Sequence, residues 1–254
     1  MGKNKLKKFA EMERLDCVFQ YPQSALEAAG GCPLRGLWAK DVFANSNPIV
    51  LELGCGKGEY AVGMGKADPA SNFIGIDIKG ARMWSGARTV ADEGIANVRF
   101  LRTSIHLLPE FFAPGEVSSI WITFPDPQMK KVNKRLTGTH FVDIYRRVCP
   151  PGALINLKTD SPFLYAYTLA MASHNGLEVV AATPDLYASE WVDRVPRITT
   201  YYEAQWLGRG IPSKYIAFRL PAPDVVLTEP QVDIEPDSYR SFGRGNLESL
   251  GLRT

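Results

Sequence analysis

Five short apolar runs organise the middle of the chain: PIVLELG from Pro48, NFIGIDI from Asn72, NVRFLRT from Asn97, SSIWITF from Ser118 and ALINLKT from Ala153. They are nearly continuous rather than alternating, as strands covered on both faces are. Helical stretches separate most of them: GEYAVGMGKA, KGARMWSGARTVADEG, THFVDIYRRV and PFLYAYTLAMASHN. Pro150-Pro151-Gly152 ends the third helix and Gly176 the fourth. LEVVAAT and KYIAFRL add two further strands. This alternation predicts an α/β protein with a Rossmann-like, doubly wound, mostly parallel sheet of seven strands. Ligands of such sheets bind beyond the C-terminal strand ends, where strand order reverses.

The 254 residues divide into a basic arm and irregular lead-in (1–47), the α/β domain (48–220) and an extension (221–254) rich in Pro, Asp, Glu and Gly. Residues 1–20 read as a partly mobile arm carrying Lys3, Lys5, Lys7 and Lys8, and the extension as packed on the surface or mobile. The formal net charge is only +2, so affinity for a polyanion must come from local clusters. No apolar run reaches membrane-spanning length, and the lysine-rich start has no apolar segment behind it, which argues against a secretory signal. Cys17, Cys32, Cys55 and Cys149 are scattered, as are His106, His140 and His174. That pattern fits a cytoplasmic chain with neither disulfides nor a metal site.

The first run ends in LELGCGKGEY, where Gly54, Gly56 and Gly58 are spaced G-x-G-x-G instead of the dinucleotide G-x-G-x-x-G. Glu52 precedes the loop and Glu59 follows it, which disfavours a pyrophosphate and suits a ligand bearing an ammonium and a sulfonium. Asp77 closes the second run, where a carboxylate can accept both hydroxyls of a ribose. Together these point to an S-adenosylmethionine site. Ser104 follows the third run at the place of an adenine-binding acid; its hydroxyl either accepts that bond or caps the next helix.

The fourth run leads into FPDPQMKKVNKR. Pro125 and Pro127 restrict Asp126 between them, which preorganises a carboxylate near the reacting centre. Lys130, Lys131, Lys134 and Arg135 follow directly and can neutralise phosphates.

On LELGCGKG, GID, ITFPDPQMKKVNKRL, LKTD and TTYYE, in that order over about residues 48–220, the sequence resembles the bacterial tRNA (guanine-N7-)-methyltransferases. The resemblance implies a class I methyltransferase fold, S-adenosylmethionine as cofactor, and tRNA as substrate, methylated on a guanine of its variable loop. It implies that Glu52, Gly54, Gly56, Asp77 and Ser104 line the cofactor pocket and that Asp126 is the catalytic aspartate. Lys130, Asp160 and the stretch Thr200, Tyr201, Tyr202, Glu203 match guanine- and tRNA-binding positions. The chain departs from the pattern at Ser104, at Gln128 in place of an aromatic, and in a shorter basic loop. The expected assembly is a monomer or homodimer without membrane or metal. Rival readings are methyl transfer to another RNA or a small molecule, and a non-catalytic RNA-binding module on the same fold.

Overall fold

The computed structural model describes residues 3–241. Its centre is an eight-stranded sheet built from β1 (Val18–Gln20), β2 (Ile49–Leu53), β3 (Asn72–Asp77), β4 (Val98–Arg102), β5 (Val117–Thr123), β6 (Leu154–Thr159), β7 (Val179–Thr183) and β8 (Lys214–Arg219). The order is β1-β4-β3-β2-β5-β6-β8-β7. All pairs are parallel except those of β8, which runs antiparallel to both β6 and β7. The chain reverses its winding direction between β2 and β5, which lie side by side with Leu53 opposite Ile122. Their C-terminal ends therefore place the glycine loop and the Pro-Asp-Pro turn at one edge.

Seven of these strands are the apolar runs of the sequence. The eighth, β1, comes from the lead-in and pairs with β4 through Val18 and Phe100. The helices are α1 (Lys3–Met12), α2 (Gln23–Ala29), α3 (Glu59–Ala67), α4 (Gly80–Glu93), α5 (Leu108–Phe111), α6 (Thr139–Tyr145), α7 (Pro162–His174) and α8 (Tyr201–Leu207). One core layer joins Leu51, Ile74, Ile120, Ile155 and Ile216 to Phe141, Tyr145 and Leu164 of α6 and α7. The other joins Val50, Phe73 and Phe100 to Tyr60 of α3 and Met83 of α4.

The arm expected to be partly mobile is docked, and the extension takes the packed one of its two expected states. In α1, Met12 is fully buried in the second core layer, and Glu11 accepts from Trp84 Nε1 at 2.8 Å and Arg88 Nη1 at 3.0 Å. Lys8 lies over the Trp84 ring; the side chains of Lys3 and Lys5 fall outside the described residues. The extension, described to residue 241, is pinned along α6 and α7. Arg146 Nη1 donates to the carbonyls of Ala222 and Val225, and Glu229 accepts from Thr139 N–H (3.0 Å), Thr139 Oγ1 (2.5 Å) and Tyr167 Oη (2.6 Å). Among the described residues no helix is long and apolar enough to cross a membrane.

Candidate active site

The loop after β2 turns through three glycines in the left-handed region, Gly54 (φ 73°), Gly56 (φ 56°) and Gly58 (φ 74°). They do different jobs. A Cβ on Gly58 would sit 2.4 Å from the Phe100 ring, so that glycine is needed for packing. A Cβ on Gly54 would meet nothing within 4 Å, and one on Gly56 only the Gly54 carbonyl at 3.9 Å. These two leave open space in front of bare backbone, a cradle for a ligand. Asp77 closes it: one carboxylate oxygen accepts from Gly56 N–H at 3.0 Å and the other from Lys79 N–H at 2.8 Å. Ile78, next to it, is 60% exposed, an apolar face beside a strand-end carboxylate.

These features fit S-adenosylmethionine: cradle for the methionine part, Asp77 for ribose hydroxyls, Ile78 as an apolar surface for the base. Ser104 lies two residues beyond the end of β4, which pairs with β3, and its side chain makes no capping bond to the helical turn that follows, so the capping role is not taken.

Glu52 stands one layer below the cradle. It is 1% exposed, and its oxygens accept from Ala61 N–H and Thr123 Oγ1, both at 2.8 Å. Burial pushes its pKa up to about 7, offset in part by those two hydrogen bonds. Glu52 thus ties β2 to the first turn of α3 and to β5, directly beneath the glycine loop, and burial favours its protonated form. The acidic rim is supplied by Asp77 and Glu59.

At the end of β5, Phe124 (φ 48°) and Gln128 (φ 49°) are both left-handed without being glycine. They bracket Pro125-Asp126-Pro127, and backbone held this way persists only when its surroundings enforce it. Phe124 N–H is bonded to the Lys158 carbonyl at 2.8 Å, and Asp126 accepts from Gln128 N–H at 2.9 Å. Asp126 is exposed, with its orientation set by the turn. Lys130, Lys131 and Lys134 are exposed beyond it.

Arg135 is not part of that cationic face. It is 7% exposed, donates to the carbonyls of Gln128 (3.3 Å) and Met129 (2.9 Å), and lies over the rings of Phe163 and Tyr167. It braces the loop that carries the lysines.

The TTYYE stretch is also corrected in part. Thr200 is the N-cap of α8, its hydroxyl accepting from Glu203 N–H at 3.2 Å. Glu203 is fully buried; it pairs with Lys158 at 3.0 Å and accepts from Tyr187 Oη (2.8 Å) and Ser213 Oγ (2.9 Å). Both side chains are buried in this structure. T-x-x-E is a helix-start signature, and that signal was available in the sequence. Tyr201 is 48% exposed: its N–H donates to Glu59 at 3.0 Å, and Lys57 Nζ lies 3.6 Å from its ring centroid. These contacts clasp α8 to the glycine loop. Tyr202 packs edge-on against Tyr201, half-buried.

Asp160, directly after β6, shares the edge with Asp126 but is fully buried, one oxygen accepting from Tyr239 Oη at 2.8 Å. Residues absent from the sequence reading are Lys57, Ile78, Lys158 and, in the extension, Asp237 and Tyr239. A lysine inside an apolar strand, as in INLKT, is itself a signal of a buried paired charge. All four cysteines are buried, and burial raises the Cys55 thiol pKa well above its ordinary value, so no thiolate serves here. Among the described residues no group of three or more His, Cys, Asp or Glu is placed to hold a metal.

A family model described as "Putative methyltransferase" matches residues 46–214. The tRNA (guanine-N(7)-)-methyltransferase of Porphyromonas gingivalis is 59% identical over 235 residues, 92% of this chain and 96% of that protein. The chain belongs to the tRNA (guanine-N(7)-)-methyltransferase family. Its relative from Bacteroides fragilis is 53% identical and covers 98% of both chains. In this family member the fold also resembles the 16S rRNA methyltransferase KamB (TM-score 0.56, 13% identity, 72% of this chain and 92% of that one). An antibiotic-related methyltransferase superposes with TM-score 0.53 at 18% identity, over 71% of this chain and 90% of that one.

Proposed function

We propose that this enzyme transfers a methyl group from S-adenosylmethionine to N7 of a guanine in the variable loop of tRNA, in the cytoplasm. The observation that carries the proposal is the adjacency of β2 and β5, which sets an open glycine cradle beside a preorganised aspartate with lysines directly behind it.

Bound S-adenosylmethionine supplies an electrophilic methyl on sulfur. The chain's share follows from the nucleophile. Guanine N7 carries a free lone pair on the base edge. No proton leaves N7, so no general base is needed. The product ring is cationic, and Asp126, fixed by its turn, stabilises that growing charge without reorganising. Gly54, Gly56 and Asp77 hold the donor in line with the base, which removes much of the entropic barrier. Asp160 reads the N1–H and 2-amino donors of guanine; adenine lacks both. Lys130, Lys131 and Lys134 hold the tRNA backbone, and Tyr201 stands where α8 meets the glycine loop.

The test is incubation with unmodified tRNA and labelled S-adenosylmethionine, followed by nucleoside analysis for 7-methylguanosine. Asp126→Ala is expected to keep cofactor affinity and lose turnover by roughly 10²–10³-fold. Near-normal turnover would mean that another group stabilises the charge.

A further inference from the structure

The acidic rim of the cradle, Asp77 and Glu59, attracts the ammonium and sulfonium of S-adenosylmethionine and repels the carboxylate of the same molecule. A cation must offset that repulsion, and most cations of this edge are placed elsewhere. Lys79 stands beside Asp77, at the ribose end. Lys130, Lys131 and Lys134 lie beyond the Pro-Asp-Pro turn. Lys158 is buried against Glu203, and Lys214 Nζ donates to the carbonyls of Asp160 and Pro212 at 3.1 and 3.0 Å.

Among the described cations of this edge, Lys57 remains. It lies between Gly56 and Gly58, whose left-handed backbone fixes where its side chain starts. It is half-buried, and among the described residues it forms no ion pair. Glu59, close by in the chain, turns instead to Tyr201 N–H at 3.0 Å. The Lys57 ammonium rests 3.6 Å from the centroid of the Tyr201 ring, and Tyr202 braces that ring edge-on, centroids 5.6 Å apart. Tyr201 belongs to α8, which is tied to β6 through Glu203 and Lys158. Lys57 therefore leaves the loop on the β6 side, away from β3 and Asp77. A cofactor with its ribose on Asp77 and its methyl toward the turn after β5 extends its amino-acid end in that same direction.

The geometry points to Lys57 as the counter-ion of the cofactor's carboxylate, with Tyr201 as the positioning residue that holds the ammonium in place. This rests on the reading of the glycine loop as the cofactor cradle. The pair selects a ligand with a complete amino-acid end over one that has lost its carboxylate.

Calorimetry on the full-length protein tests this with S-adenosylhomocysteine and its decarboxylated analogue, which keeps the ammonium. Wild type should bind the complete ligand roughly tenfold more tightly, the size expected of one hydrogen bond between charged partners, and the gap should narrow with added salt. Lys57→Met should weaken S-adenosylhomocysteine by roughly that factor and leave the analogue unchanged, which closes the gap; Lys57→Arg should keep it. Tyr201→Phe keeps the ring and should behave as wild type, whereas Tyr201→Ala should reduce the gap by a factor of roughly two to five. A Lys57→Met loss that is equal for both ligands, or no loss for S-adenosylhomocysteine, overturns the assignment. So does a wild type that does not distinguish the two ligands. An unchanged gap in Tyr201→Ala overturns the positioning role. If wild type binds neither ligand, the cradle reading itself fails and this inference with it.

Discussion

Lys158→Met would remove the ion-pair partner of Glu203 in a fully buried setting. The pair closes at 3.0 Å with both side chains at 0% exposure. Glu203 would keep Tyr187 and Ser213 on one oxygen and lose the ammonium on the other. Breaking a buried pair from one side typically costs about 3–5 kcal/mol. For a chain of this size that is a fall in Tm of roughly 6–20 °C. Glu203→Gln strands the ammonium instead, with only the Ile198 carbonyl at 3.3 Å. Burial already lowers the Lys158 pKa, and Glu203 is what raises it back. Glu203→Gln should therefore hurt less at pH 9 than at pH 6, because the stranded lysine can release its proton. The double variant Lys158→Met/Glu203→Gln removes both charges and keeps an amide oxygen for Tyr187 and Ser213. It should be more stable than either single variant, with a coupling of at least about 2 kcal/mol. Urea unfolding of the four proteins measures this. If the double variant loses the sum of the single losses to within about 0.5 kcal/mol, the two residues do not act as a buried pair and the reasoning is wrong.

Glu52 predicts a pH dependence. Its folded-state pKa is raised from 4.5 to about 7, so the folded chain holds a proton that the unfolded chain has lost. Its contribution is full below the unfolded value and is lost as pH rises through about 7, by about 3 kcal/mol in all. Glu52→Gln should flatten the fall in stability between pH 5 and pH 8 seen by urea unfolding; an unchanged slope would assign that fall to other groups. Gly58→Ala forces a Cβ to 2.4 Å from Phe100 at positive φ and should cost about 2–4 kcal/mol by thermal unfolding. Gly56→Ala meets open space, so it should cost only about 1–2 kcal/mol while weakening S-adenosylhomocysteine binding in calorimetry; equal cofactor affinity would remove the cradle. Each of Lys130→Ala, Lys131→Ala and Lys134→Ala should reduce the slope of log affinity against log salt for tRNA by roughly 0.7–0.9 if it meets a phosphate, whereas Arg135→Ala should act mainly on stability.

The strands and the switch point could be read because continuous apolar runs report burial on two faces directly. β1 escaped notice because three residues, VFQ, carry no periodicity; only pairing with β4 makes them a strand. The cradle was legible from glycine spacing, but not which glycine serves packing, since that depends on Phe100 two strands away. KKVNKR looks like one uniform cationic run. Arg135 turns inward because Phe163 and Tyr167, far along the chain, offer it aromatic faces. Glu229 and Asp237 resemble solvated acids in a polar tail, and their helix-start partners are 74 to 90 residues away. Long-range partners are what periodicity cannot report.

The placement of β8 constrains how this protein is made. The strand lies between β6 and β7 although it is synthesised after both. A nascent chain that stops before Lys214 leaves the inner edge of β6 and the whole of β7 without their hydrogen-bonding neighbour. Such edges are sticky, and they stay open until β8 has been made. Premature termination just upstream of that strand should yield a chain that clumps rather than a shortened enzyme.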